Sequence, residues 1–288
     1  MPGFKKYRQS EVIADQYFER VIVYLESEED CLIINDRWFF DQGEMIDFRS
    51  VDEGEGGGAN EVIKRVKQDK DAGHIVFGIV DRDVLMREGC WDLWWEADDQ
   101  KFNQARPFGE SIRILKRWEL ENYLLVPDIL EEVMADRDGR TKQFPDAVNF
   151  FLNDLAEEIK VLSAASILFN ENGRNFGTKL DRIPDFEILK EKTEKFVREK
   201  LDDGEIEKLN VYVEKIESFS ENNDSPSIVR WERINRLLDG KRVLRRLNLA
   251  FRPRKGDDLR FTLASRLNNR VDREIRDYIN EFKNAKRF

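Results

Sequence analysis

The sequence predicts an α/β protein, a parallel sheet flanked by helices with a mainly α-helical second region. Three observations carry that expectation. Short β-branched runs, "VIVYL" (21–25) and "HIVFGIV" (74–80), have the apolar continuity of strands buried on both faces. Amphipathic helical patterns separate them, and strands alternating with helices imply a parallel sheet. Strand signal then stops near residue 126, and only helical periodicity follows.

Taken in order, "SEVIADQYFERVIVYLE" reads as a short helix running into a first strand at about 20–25. "EEDCLIINDRWF" follows with apolar residues at helical spacing. "EMIDFRSV" (44–51) alternates loosely as a second strand, then comes the glycine-rich loop "DEGEGGGAN" and the helix "EVIKRVKQDKDAG". Residues 74–80 form the third strand. "SIRILKR" (111–117) forms the fourth and leads into "WELENYLLVPDILEEVMADRDG". Beyond it lie "PDAVNFFLNDLAEEIKVLSAASILF", "FEILKEKTEKFVREKL", "EIEKLNVYVEKIESF" and "SIVRWERINRLLDGKRVLRRL". The breakers "NENGRNFG" (170–177) and "SENNDSPS" (220–227) interrupt this series. The expected division is a catalytic domain over 1–126 and a helical domain over 127–288 that carries substrate, dimer and partner contacts.

Composition narrows the function. The 288 residues are 38% charged, with a formal net charge of -10, and the mean hydropathy is -0.65. The longest apolar stretch, "VLSAASILF" (161–169), falls far short of the ~20 residues that span a bilayer. The N-terminus turns polar at once, so no signal peptide is expected. Cys31 and Cys90 offer neither a disulfide framework nor a metal spacing, and a reducing cytoplasm is the expected compartment. A single histidine, His74, excludes His-rich zinc sites. Net negative charge argues against unspecific nucleic-acid binding. Yet "GKRVLRRLNLAFRPRK" (240–255) carries seven basic residues and no acid. Lys241, Arg245 and Arg246 are therefore candidates to follow a phosphate backbone.

The sharpest signal is acidic. In an open parallel sheet, functional groups gather at the carboxyl ends of the strands. Glu26 ends the first strand, after five apolar or aromatic residues, where a solvated acid gains nothing. Asp81 and Asp83 end the third, two apart, so that an extended backbone points both the same way. With Asp30, these carboxylates make a candidate site for a hard cation such as Mg2+, with Mn2+ as the alternative. Such an ion activates water and stabilises charge on a phosphate. Local readings compete: Ser27-x-x-Asp30 is a capping pattern, and Asp83 is placed to cap the turn "VLMREG". Glu119, Glu121 and Asn122 sit just past the fourth strand, placed either to support the site or to favour a helix dipole. "CWDLWW" (90–95) is expected in the core, with a partner or base-stacking surface as the minority alternative.

A strand ending in Glu, an acid four residues on and a later strand ending in Asp-x-Asp resemble the Toprim domain of topoisomerases, primases and OLD-type nucleases. The resemblance lands on Glu26, Asp30, Asp81 and Asp83. Many Toprim sequences have Gly after the glutamate, where this chain has Ser27. "RWELENYLL" (117–125) and "DGKRVLRRL" (239–247) resemble the signatures of a small Toprim-like family that supplies the nuclease subunit of the PARIS anti-phage system. That resemblance implies a metal-dependent effector nuclease, in which Glu26, Asp81 and Asp83 are catalytic. It implies an ATPase sensor partner (AriA), release on sensing a phage protein, an active homodimer, and host RNA, in particular tRNA, as substrate. No membrane association is expected, because the longest apolar stretch is too short to span a bilayer. Two other readings stay open on the residues alone: a haloacid-dehalogenase-type phosphatase with Asp81 as nucleophile, and a non-enzymatic, partner-regulated scaffold whose acids cap helices.

Overall fold

The computed structural model describes residues 20–51, 57–138, 145–183, 185–219, 227–251 and 258–285. The expected helix before residue 20, most of the glycine-rich loop, residues 252–255 of the basic strip and the last three residues lie outside these. The first elements of the described residues are β1 (Val21–Leu25), α1 (Glu28–Ile33), β2 (Ile46–Ser50), α2 (Ala59–Asp71) and β3 (Val76–Val80). Three short helices follow, α3 (Val84–Arg87), α4 (Trp91–Trp94) and α5 (Asp99–Gln104), and then β4 (Ile112–Ile114). Among the described residues the rest is helical: α6 (Glu121–Leu124), α7 (Pro127–Asp138), α8 (Pro145–Glu171), α9 (Phe186–Lys200), α10 (Asp203–Ser218), α11 (Ser227–Ile234), α12 (Gly240–Phe251), α13 (Leu259–Leu267) and α14 (Arg273–Asn284). None of these helices is long and apolar enough to cross a membrane.

Two compact units result. One holds the chain up to Val80, Arg106–Ile114 and the chain from Asn268 on; the other holds Asp81–Ala105 and Leu115–Leu267. The first unit contains a four-stranded, all-parallel sheet in the order β2-β1-β3-β4. Every residue of β1 is buried, which explains its unbroken apolar run. Helix α2 lies close over β1 and β3 because Gly78 has no side chain. A Cβ there would stand 2.6 Å from Val62 Cγ1 and 3.1 Å from Val66 Cγ2. The C-terminal α14 belongs to the same unit. Phe282 stacks on Phe77 with centroids 4.3 Å apart, the Tyr278 hydroxyl donates to the Ile114 carbonyl at 3.1 Å, and the buried Arg113 pairs with Glu281.

The interleaving departs from the linear boundary expected at 126/127. Periodicity locates helices along the chain, but it does not say which sheet an apolar face will cover. The face Ile275, Tyr278, Ile279 and Phe282 is buried in the first unit, although it lies more than 150 residues beyond β4.

Among the described residues of the second unit, the regular elements are helices. Its axis is α8, 27 residues and so about 40 Å long. The apolar stretch noted in the sequence lies on it, with Leu162, Ser163, Ala164, Ala165, Ser166, Ile167 and Leu168 all buried. Small residues let α7, α10, α11 and α12 pack against α8 from several directions. Trp231 of α11 is fully buried and donates its indole N–H to the Leu125 carbonyl at 2.9 Å.

The close approach at Gly78 yields a stability prediction. Gly78→Val should cost about 1–3 kcal/mol in urea unfolding, by overpacking against Val62 and Val66. Gly43→Ala, where nothing lies within 4 Å of an added Cβ, should stay within about 0.5 kcal/mol of wild type.

Candidate metal centre

Strand order 2-1-3-4 fixes where a site is to be sought. From β1 the chain moves to one side to make β2, and β3 lies on the other side of β1. The crevice beyond the carboxyl ends of β1 and β3 is thus the topological switch point of the sheet, the place where open α/β folds bind ligands. The register pairs Tyr24 with Gly78. Two residues beyond Tyr24 is Glu26, and the residue joined to the last of β3, Val80, is Asp81. Among the described residues, Glu26, Asp81 and Asp83 form a group whose carboxylate oxygens all lie within 4.8 Å of one another, each side chain half-buried.

Residues 81–83 do not continue the strand, as the argument from an extended backbone supposed. They turn into α3: the Val84 and Leu85 amides donate to the Asp81 and Arg82 carbonyls at 3.3 and 2.9 Å, and Asp83 adopts right-handed helical angles. Asp83 makes no side-chain cap to α3; its Oδ1 accepts instead from Arg87 Nη2 at 2.6 Å. Asp81 Oδ1 accepts the Leu120 backbone N–H at 3.2 Å. Both acids are thus held by donors.

Asp30 takes the capping arrangement. Ser27 is the N-cap of α1, its hydroxyl oxygen accepting the Asp30 N–H at 3.1 Å while its O–H donates to Asp30 Oδ2 at 2.7 Å. Ser27 has an extended backbone, φ -139° and ψ 161°, so a residue other than glycine fits after Glu26 at no steric cost.

The supporting group after β4 is more extensive than its sequence suggests. Asn122 is fully buried; its amide donates to the Asn235 carbonyl at 2.8 Å, Asn235 Oδ1 at 3.0 Å and the Leu238 carbonyl at 2.9 Å. Its Oδ1 accepts the Glu119 N–H at 3.0 Å. Gly240 opens α12 against this asparagine, and a Cβ there would fall 2.6 Å from Asn122 Oδ1. The motifs "ELENYLL" and "DGKRVL" therefore pack directly on one another. The contact brings Lys241 Nζ within 2.8 Å of Glu119 and 4.0 Å of Glu121, and Glu121 also pairs with Arg260 at 3.2 Å.

Glu119 and Glu121 are both buried. Desolvation first, then the charges of Glu121 and Asp239, push the Glu119 carboxyl up to about 8, against the pull of Lys241. Burial alone would lower Lys241, but Glu119, Glu121 and Asp81 outweigh it, and the shift is upward. The two shifts oppose one another, since an ionised Glu119 would best suit a cationic Lys241. The excess of acids around Lys241 reconciles them: the ammonium stays charged, while one of its buried acids is hard to ionise.

The remaining basic candidates are engaged within the second unit. Arg245 pairs with the buried Asp181, and Arg246, itself buried, pairs with Glu158 at 2.6 Å and donates to the Ile183 carbonyl. Arg242 adds contacts to Asp181 and Asp239, each at 3.0 Å. This placement speaks for internal pairing along α12 rather than for a free basic track. Trp94 is fully buried, edge-on to Trp118 at 5.0 Å; Trp95 lies against Tyr212 at 5.3 Å, with Lys215 over its ring. Sequence reasoning passed over Arg82, Asn235 and Arg260. The position of Arg82 between two strand-end acids was the one signal available for it.

Comparisons of the chain with protein-family models, with curated proteins and with solved structures give no match.

The raised carboxyl of Glu119 gives a stability profile with a definite sign. Its folded pKa of about 8 lies above its ordinary 4.5. The proton's contribution is therefore full below about pH 4.5 and disappears as pH rises through about 8. Urea midpoints measured from pH 5 to 9 should fall for wild type, with a slope of at most about 1.4 kcal/mol per pH unit from this group. Glu119→Gln should remove that part of the slope. An identical profile in the two proteins would contradict the assignment.

Proposed function

We propose that this protein is a metal-dependent nuclease that hydrolyses phosphodiester bonds at the carboxyl edge of β1 and β3. The observation that carries the reading is the convergence of the Glu26, Asp81 and Asp83 carboxylates at the switch point of a parallel sheet. An all-oxygen donor set of three half-buried acids suits a hard divalent cation such as Mg2+ or Mn2+. Carboxylates this close repel one another, and a bound cation would offset that repulsion.

Glu26, Asp81 and Asp83 would hold the ion. When bound, it would activate water and offset charge on the scissile phosphate. The chain's own contributions are positional and electrostatic. The Leu120 N–H fixes one oxygen of Asp81, Arg87 orients Asp83, and Lys241 supplies a cation beside Asp81, Glu119 and Glu121. Glu26 stands at the end of a fully buried strand and is the candidate to accept a proton from the attacking water.

The Toprim resemblance, carried by Glu26, the Asp81/Asp83 pair, "RWELENYLL" and "DGKRVLRRL", supports the nuclease reading over the phosphatase one, which leaves Glu26 unused. On the same resemblance the substrate is RNA, in particular tRNA, and the enzyme works in the cytoplasm. An ATPase sensor of the PARIS type withholds activity, and release yields the active homodimer.

The test is cleavage of total tRNA by purified protein with Mg2+, with and without the ATPase partner. Glu26→Gln and Asp81→Asn should each lower the rate by about 10²- to 10⁴-fold, with unchanged circular dichroism. Full activity in either folded variant would remove that residue from the site.

A further inference from the structure

Arg82 lies between the two aspartates of the candidate centre, yet its side chain is fully buried in the second unit. Its guanidinium donates to four main-chain carbonyls: Trp94 at 2.6 Å, Glu96 at 3.0 Å, Leu93 at 3.3 Å and Lys116. Phe102 lies 4.5 Å beneath it and Trp94 5.6 Å to one side. Its own amide N–H donates to the Trp118 carbonyl at 2.9 Å, and two residues further on Leu120 holds Asp81. Segment 116–120 is thus stapled to 81–82 at three points.

We propose that Arg82 is a positioning residue for the metal centre. It locks the turn 81–83 so that Asp81 and Asp83 present their carboxylates on one side while the guanidinium is held on the other. The proposal rests on the reading of Glu26, Asp81 and Asp83 as cation ligands. It assigns to a buried arginine the part that partners of metal ligands ordinarily play through direct hydrogen bonds; here the link is the backbone of the turn. A guanidinium suits this, because its planar fork can serve several carbonyls at once, whereas an ammonium is a point charge with different directions of donation.

The deciding measurement is Mn2+ binding to the full-length protein, followed by the EPR signal of the free ion, with unfolding measured in parallel. Wild type should bind Mn2+ and Asp81→Asn should not. Arg82→Lys should lower the affinity about 10- to 100-fold. Leu189→Ala, a core truncation on α9, which packs on α8 and on residues 180–182, loses stability at another place in the second unit and should bind Mn2+ within about twofold of wild type. Wild-type affinity in Arg82→Lys, or an equal loss in Leu189→Ala, would overturn the positioning role while leaving the metal centre standing. Absence of binding to wild type, or unchanged binding by Asp81→Asn, would overturn the metal centre and the proposal with it. Should Arg82→Lys not fold, Phe102→Leu decides, since it loosens the seat of the guanidinium: weakened Mn2+ binding supports the role, and unchanged binding overturns it.

Discussion

A buried guanidinium is costly unless its charge and its donors are both satisfied. The Nη1 and Nη2 donors of Arg82 are met because residues 93–96 and residue 116 bring their carbonyls to them. The constraint runs in both directions. The arginine obliges α4, the loop after it and the segment after β4 to hold one arrangement, and these in turn fix the turn that carries Asp81 and Asp83. Phe102 and Trp94 exclude water from the same place. A loop of acids at a strand end would otherwise be free to splay, since like charges repel and the conformational entropy of a turn favours disorder.

The same logic recurs with α12. Arg242, Arg245 and Arg246 look in the sequence like a surface strip for a polyanion, but Asp181, Asp239 and Glu158 take them up. A cation that already has a buried or half-buried carboxylate partner gains little from a phosphate. Lys241 differs, because the acids around it outnumber the cations. Among the described residues of the strip, Lys241 is a cation whose charge is felt by Asp81 as well as by Glu119 and Glu121.

Much of the architecture was legible from local pattern. The β-branched runs at 21–25 and 76–80 could only be buried strands, and helices between them required parallel pairing. Acids placed directly after such strands marked the edge of the sheet, which is why Glu26, Asp81 and Asp83 could be singled out from sequence. What stayed hidden depended on long-range packing. The direction of the Arg82 side chain is set by carbonyls 11 to 34 residues away. The fate of Arg245 and Arg246 is set by acids more than 60 residues distant. Docking of α14 in the sheet unit depends on Phe77 and Ile114, which no periodicity in 273–284 can indicate. Asp30 shows the remaining difficulty: one carboxylate suits a cap and a cation alike, and only the Ser27 geometry shows the capping bond.

The central claim is that three strand-end carboxylates form a cation site. Anomalous diffraction from crystals soaked in Mn2+ tests it most directly. The account predicts one strong anomalous peak bounded by Glu26, Asp81 and Asp83, lost in crystals of Asp81→Asn. Mn2+ bound only elsewhere, with no peak among these three carboxylates, would contradict it.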